Sequence, residues 1–245
     1  MVTRKTIHMS ILKSRRIIEL SHRMVPGQEE FPLEIETFMA DEVMAKTARA
    51  STHVIQRRAD IWYVIQEVKM SSHVGTHVEF PYHHLKHGKS AADYPLERLI
   101  GEAVLFDFSH KKKDEEITKQ EILDSGVEVR KGDIAVIRTD MHKLWKTPQA
   151  HDRPVLSLEA TRYLVAEIGI HCIATDATGL EVRGRDDQPV HVMLFEHDVA
   201  MVESLTNLDQ LRSTRFEMII LPLPVEGLDS CPVRVIAVEQ QRELP

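Results

Sequence analysis

The sequence predicts a mixed α/β or α+β fold in which strands outnumber helices. Three observations carry this. Short apolar runs flanked by polar or turn residues recur along the chain; a few segments carry helical spacing with end signals; and no internal repeat or Ser/Gly linker divides the 245 residues. A single domain over residues 1–245 is therefore expected, with the first fifteen or so residues extended or mobile.

The elements follow in order. Residues 41–50 read as a polar helix, and residues 61–70, rich in β-branched and aromatic side chains, as a strand. Residues 103–108, 133–138, 172–175, 200–203, 216–221 and 233–238 are further strands. Several are apolar almost throughout, as strands covered on both faces are. Thr118 and Glu121 have the spacing of a capping box, with Gly126 as the stop. Ser157 suits an N-cap for a helix over 158–168, closed by Gly169. Residues 190–197 read as a short helix.

Composition narrows the function. A 42% apolar share is enough for a sizeable core, and a net charge of −7 offers no general field for phosphate backbones, so no nucleic-acid partner is expected. Two cysteines, Cys172 and Cys231, make no disulfide framework and fit a reducing cytoplasm. No run approaches the length of a membrane span, so no membrane partner is expected. The basic N-terminal stretch lacks the apolar centre of a secretory signal.

Histidine stands out: the chain has 14, and His73, His77, His83, His84 and His87 crowd into one short stretch. Imidazole is the commonest metal ligand and the usual acid/base near neutral pH. In an extended chain His77 and Glu79 share a face, and a turn at Gly75–Thr76 would return His73 beside His77. Two imidazoles and one carboxylate around one ion leave coordination positions open, as a catalytic site requires. Pro81 would aim His83 at the same space. His84 and His87 read as solvated or as outer partners.

The run His73-x-Gly75-Thr76-His77-x-Glu79-x-Pro81-x-His83 resembles the HxGTHxDxPxH motif of the cyclase family of metal-dependent hydrolases, which includes bacterial kynurenine formamidase and isatin hydrolase. Other segments match in the same order: Glu19-Leu20-Ser21-His22, residues 132–139, the strand ending at Asp176, and His191 followed by Glu203. The resemblance implies an α/β swivelling β/β/α domain of mixed sheets with flanking helices, usually a homodimer or larger assembly. It implies one or two divalent ions, zinc or manganese, held by His73, His77, the acid at 79, His191 and Glu203, with His83 as acid/base. Residue reading alone would leave His191 on a helix surface and Glu203 in solvent. Where the family carries Asp, this chain has Glu79, whose extra methylene lengthens its reach.

The expected reaction on a small-molecule substrate is hydrolysis of an amide, formamide or lactam C–N bond by metal-activated water. A lyase, dehydratase or cyclase using the same ion is one alternative, and a non-catalytic metal- or ligand-binding protein is another. Smaller assignments stay open between function and structure. Thr76 and Ser72 would support the ligands or build the turn. Asp176 would approach the pocket or cap a loop. Phe31, Trp62 and Tyr63 would wall an aromatic substrate or, more simply, pack in the core. Arg183 and Arg185 would bind a substrate carboxylate or face water.

Overall fold

A computed structural model describes residues 15–39, 42, 62, 64–182 and 184–240. The expected helix over 41–50 lies outside the described residues apart from position 42, as do Tyr63 and Arg183.

Thirteen strands are described. They are β1 (Arg15–Glu19), β2 (Leu33–Met39), β3 (Val64–Met70), β4 (His77–Glu79), β5 (Ile100–Asp107), β6 (Glu116–Ile117) and β7 (Ile134–Arg138), then β8 (Val155–Leu156), β9 (Cys172–Thr175), β10 (Ala200–Glu203), β11 (Arg215–Leu221), β12 (Ser230–Pro232) and β13 (Arg234–Gln240). Nine form one mixed sheet in the order β1-β13-β11-β5-β7-β9-β10-β4-β12. Its centre, β5-β7-β9-β10, is parallel, and the strands outside it pair antiparallel. The fold is thus mixed α/β.

Alternation along the central strands explains the layers. Val136, Cys172, Ala174, Ala200 and Val202 turn to one core, which also takes Ile18, Val78, Met218 and Val235 from strands at both ends of the sheet. The sheet therefore curls over that face and packs on itself. Ala135, Ile137, Ile173 and Met201 turn to a second core on the other face. There α1 (Lys119–Asp124), α2 (Leu158–Arg162) and α3 (Pro189–Glu196) add Ile122, Ala160 and Leu194. Burial on both faces is why these strands read as continuous apolar runs.

The helix expected over 158–168 begins as α2, with Ser157 accepting from the Ala160 amide, but continues over Tyr163–Ile168 as a π-turn. Gly169 closes it at φ +82°, a left-handed conformation that glycine adopts without steric cost. The Thr118–Glu121 capping box is formed in both directions.

The strand expected over 61–70 corresponds to β3, but it does not enter the main sheet. It pairs with β2 alone as a two-stranded ribbon. The register sets Ile35 opposite Val68 and Met39 opposite Val64 on one face, and Ile35 and Val68 are 43% and 53% exposed. Trp62, expected to pack in a core, is 76% exposed.

Candidate metal centre

The site is built on β4, only three residues long and fully buried between β10 and β12. Val78 and Val202 point into the inner core, so His77, Glu79 and Glu203 point to the opposite, helix-bearing face. The antiparallel register sets Glu203 directly across from His77. On that face α3 brings in His191. Its first amides, those of Val190 and His191, donate to Oε2 of Glu181 at 2.8 and 3.3 Å. Glu181 thereby satisfies helix N-terminal donors with a negative charge, the sign that end of a helix favours. The same oxygen accepts Nδ1–H of His191 at 3.3 Å and orients the ring.

The turn before β4 supplies His73. Gly75 sits at φ +68°, and a side chain there would meet the Met24 sulfur at 2.7 Å. This reversal brings the His73 and His77 rings to a centroid distance of 5.1 Å. The Thr76 hydroxyl donates to the Ser204 carbonyl (2.5 Å) and accepts the His22 amide (2.9 Å), which ties the turn to β10 and the N-terminal segment. After β4, Pro81 opens a short 3-10 turn that ends on His83.

Glu79 is the hub. Its Oε1 lies 3.2 Å from Nε2 of His73, 3.5 Å from Nε2 of His77 and 3.9 Å from Nε2 of His83. Its Oε2 lies 3.5 Å from Nε2 of His191. Glu203 faces Nε2 of His77 (3.7 Å) and of His191 (3.5 Å). The six residues singled out by the sequence therefore line one cavity of about 390 Å³. The other ring nitrogens are engaged outside the cluster. Nδ1–H of His77 donates to the Gly75 carbonyl (2.9 Å), His73 Nδ1 shares a hydrogen bond with the Ser72 hydroxyl (3.0 Å), and Nδ1–H of His83 donates to Asp229 (2.9 Å). Fixing Nδ1 leaves Nε2 of each ring turned inward, the arrangement by which outer partners orient metal-binding imidazoles.

A divalent ion fits these groups. Nε2 of His73, Nε2 of His77 and Oε2 of Glu79 are buried yet make no hydrogen bond. Buried polar atoms without partners are rare, and two imidazole nitrogens and a carboxylate oxygen are donors of the kind a divalent cation takes. Two candidate ligand groups, His73–Glu79–His83 and His77–Glu79–Glu203, share Glu79.

Electrostatics point the same way. Burial alone would raise the Glu79 carboxyl, but the His73 and His77 rings hold it well below the ordinary carboxylate range. Burial alone would lower His191, yet Glu181 and Glu203 push it up to about 10, and Glu79 and Glu203 raise His77 against the same burial. Protein stripped of metal should thus carry a proton on His191 at neutral pH. Metal uptake must displace it, so the expected result is net proton release and an affinity that rises with pH toward 10. Calorimetric titration in buffers of different ionisation enthalpy measures this, and an affinity independent of pH would contradict it.

Around the cluster, Phe31 lines the cavity rather than packing in a core, and Trp145 joins it. Gly179, at φ +105°, packs its bare backbone against the carboxylate of Glu203; a side chain there would sit 2.9 Å from Oε1 and 3.1 Å from Nη2 of Arg153. Arg185 reaches the cavity but pairs with Asp187. Asp176 does not line the cavity. Its Oδ1 accepts the amide and hydroxyl of Thr139 (both 2.7 Å) and its Oδ2 accepts Nδ1–H of His142 (2.9 Å), which joins the ends of β7 and β9. His84 stacks on His191 at 5.5 Å, His87 is exposed, and Cys172 is buried in the inner core.

Sequence reasoning missed Glu181 and Asp229. Glu181 acts on His191 across a loop and Asp229 on His83 from 146 positions away, and neither sits in a pattern that marks it.

The family described as putative cyclase matches residues 18–182, a span that ends before His191 and Glu203. Kynurenine formamidase of Bacillus cereus is 28% identical over 173 residues, covering 70% of this chain and 78% of its own. Kynurenine formamidase of Salinibacter ruber is 27% identical over 169 residues, covering 69% and 77%. Among solved structures, isatin hydrolase A of Ralstonia solanacearum superposes with a TM-score of 0.74 at 20% identity, over 97% of this chain and 99% of its own. A potential metal-dependent hydrolase with cyclase activity gives 0.69 at 23%, over 94% and 100%. At these identities the two superpositions establish the shared fold.

Proposed function

This chain belongs to the cyclase family, and we propose that it is a divalent-metal-dependent hydrolase of a small-molecule amide, formamide or lactam C–N bond. His73, His77, Glu79, His191 and Glu203 hold the ion, zinc or manganese, and His83 is the general acid/base. The observation that carries the reading is the convergence of four imidazole Nε2 atoms on Glu79, each with its Nδ1 engaged elsewhere. The names of the formamidase and isatin hydrolase relatives support the choice of bond.

Bound in this cluster, a divalent ion supplies Lewis acidity, which acidifies water and polarises a carbonyl oxygen. The chain's own residues do the rest. Nε2 of His83 takes a proton from the attacking water and returns it to the leaving nitrogen. Glu181 and the Gly75 carbonyl keep His191 and His77 turned inward throughout. Phe31 and Trp145 offer apolar surface to the organic part of the substrate and keep bulk water from it.

The whole chain works as one unit, in support of which the main sheet runs from β1 to β13. It functions as a homodimer; the uncovered apolar face of the β2–β3 ribbon and exposed Leu221 and Leu223 are surfaces that a second copy would bury. A cytoplasmic location suits its two free cysteines, and no described helix is long and apolar enough to cross a membrane.

The test is elemental analysis of protein purified without chelators, then turnover on a panel of formyl-amides and lactams in oxygen-18 water. Bound zinc or manganese and label in the product acid are expected. The same analysis counts the ions. Turnover without label would assign a lyase or cyclase instead, and tight metal with no turnover would assign a binding protein.

A further inference from the structure

Asp229 stands in the loop before β12, the edge strand that covers β4. The ladder pairs Ser230 with Glu79, and the Phe80 amide donates to the Asp229 carbonyl at 3.0 Å. The Ser230 hydroxyl donates to the Ser72 carbonyl (3.0 Å), which ties the same strand to the residue before His73. Sheet register therefore holds Asp229 at the point where the chain leaves β4 for the turn bearing His83. Its Oδ2 lies 2.9 Å from Nδ1 of His83, and 3.8 Å from Nε2 of His73.

An ionised carboxylate accepts hydrogen bonds and donates none. An aspartate ordinarily titrates at about 4, so its carboxyl is ionised at neutral pH. A neutral His83 hydrogen-bonded to that carboxylate carries its one proton on Nδ1, which leaves the lone pair on Nε2, the nitrogen 3.9 Å from Oε1 of Glu79. A general base needs that tautomer: with the proton on Nε2, the nitrogen nearest the water could not accept another.

We infer that Asp229 is the positioning residue of the site, holding His83 in the Nδ1–H tautomer and aiming Nε2 at the attacking water. Its catalytic consequence rests on the hydrolase reading above; the tautomer itself does not.

The experiment is Asp229→Asn, with Asp229→Glu as the variant that keeps an acceptor. Asp229 is partly exposed and lies in a loop, so both are expected to fold. Nitrogen-15 spectra of the imidazoles are recorded above neutral pH on protein loaded with zinc, which is diamagnetic, and the His83 signals are assigned by their absence in His83→Asn. Wild type should show a protonated Nδ1 and a bare Nε2 on His83, and Asp229→Asn should lose that pattern. On a confirmed substrate Asp229→Asn should lower kcat by about 10²–10⁴-fold while KM and metal content stay unchanged, with part of the rate recovered in Asp229→Glu. An Nε2–H tautomer in wild type overturns the inference, as does an unchanged kcat. Loss of metal in Asp229→Asn also overturns it, because Asp229 would then be a ligand. If wild type turns over nothing on the panel but the tautomer depends on Asp229, the hydrolase reading fails and the positioning stands.

Discussion

Glu79→Ala is expected to lose the bound ion and, with it, all measurable turnover. No other side chain faces as many partners in the cluster. Its two oxygens lie within 3.9 Å of Nε2 on His73, His77, His83 and His191, and it belongs to both candidate ligand groups at the site. Outer-shell partners of a metal site cost about 10–100-fold in affinity when removed, and a ligand shared by the whole cluster should exceed that range. The fold should survive, because imidazoles can shed their charge. Without Glu79, His77 and His191 move back toward the ordinary histidine range instead of leaving a buried cation unpaired. Elemental analysis alongside a thermal melt separates the two effects, and wild-type metal content in a folded Glu79→Ala protein would refute its role as ligand. Glu79→Asp sharpens the point. Shortened by one methylene, the carboxylate cannot keep both its 3.2 Å approach to His73 and its 3.5 Å approach to His191, so it should bind metal more weakly than wild type although aspartate is the family's residue.

His83→Ala should separate chemistry from metal binding. The expected loss is about 10²–10⁴-fold in kcat, the usual contribution of a positioned acid/base, with metal content and KM near wild type. The geometry distinguishes His83 from the other histidines at this site. Its Nε2 is the farthest of the four from Glu79, and its side chain, 26% exposed, is the most open of the four. It nevertheless lies close enough to His73 and Glu79 to make a ligand group with them. Metal analysis of His83→Ala is therefore decisive: loss of the ion would make His83 a ligand and move the proton-transfer role elsewhere.

How much of this was legible in the residues follows from how local each signal is. The interior strands could be read because both faces of β7, β9 and β10 are buried, which leaves unbroken apolar runs. The capping box at Thr118 and the stop at Gly169 concern atoms a few residues apart, and both could be read in place. The 158–168 segment was legible as a helix but not as an α-helix that widens into a π-turn, since the hydrophobic stripe is nearly the same for both. Strand β3 was legible as a strand, but its exclusion from the main sheet was not, because strand propensity does not name a pairing partner.

The site divides along the same line. Residues 73 to 83 alone determined a turn and a short strand that present two histidines and a carboxylate to one side, because the two-residue strand period and the freedom of Gly75 act within a few bonds. Tertiary structure decided the rest. Nothing near His191 or Glu203 in the chain announces that they are 5% and 9% exposed; their burial comes from a helix end held by Glu181 and from the pairing of β10 with β4. Asp229 reaches His83 across 146 positions through the edge strand β12. Register between distant strands places these groups, and register is set by the packing of the whole sheet rather than by any stretch of sequence.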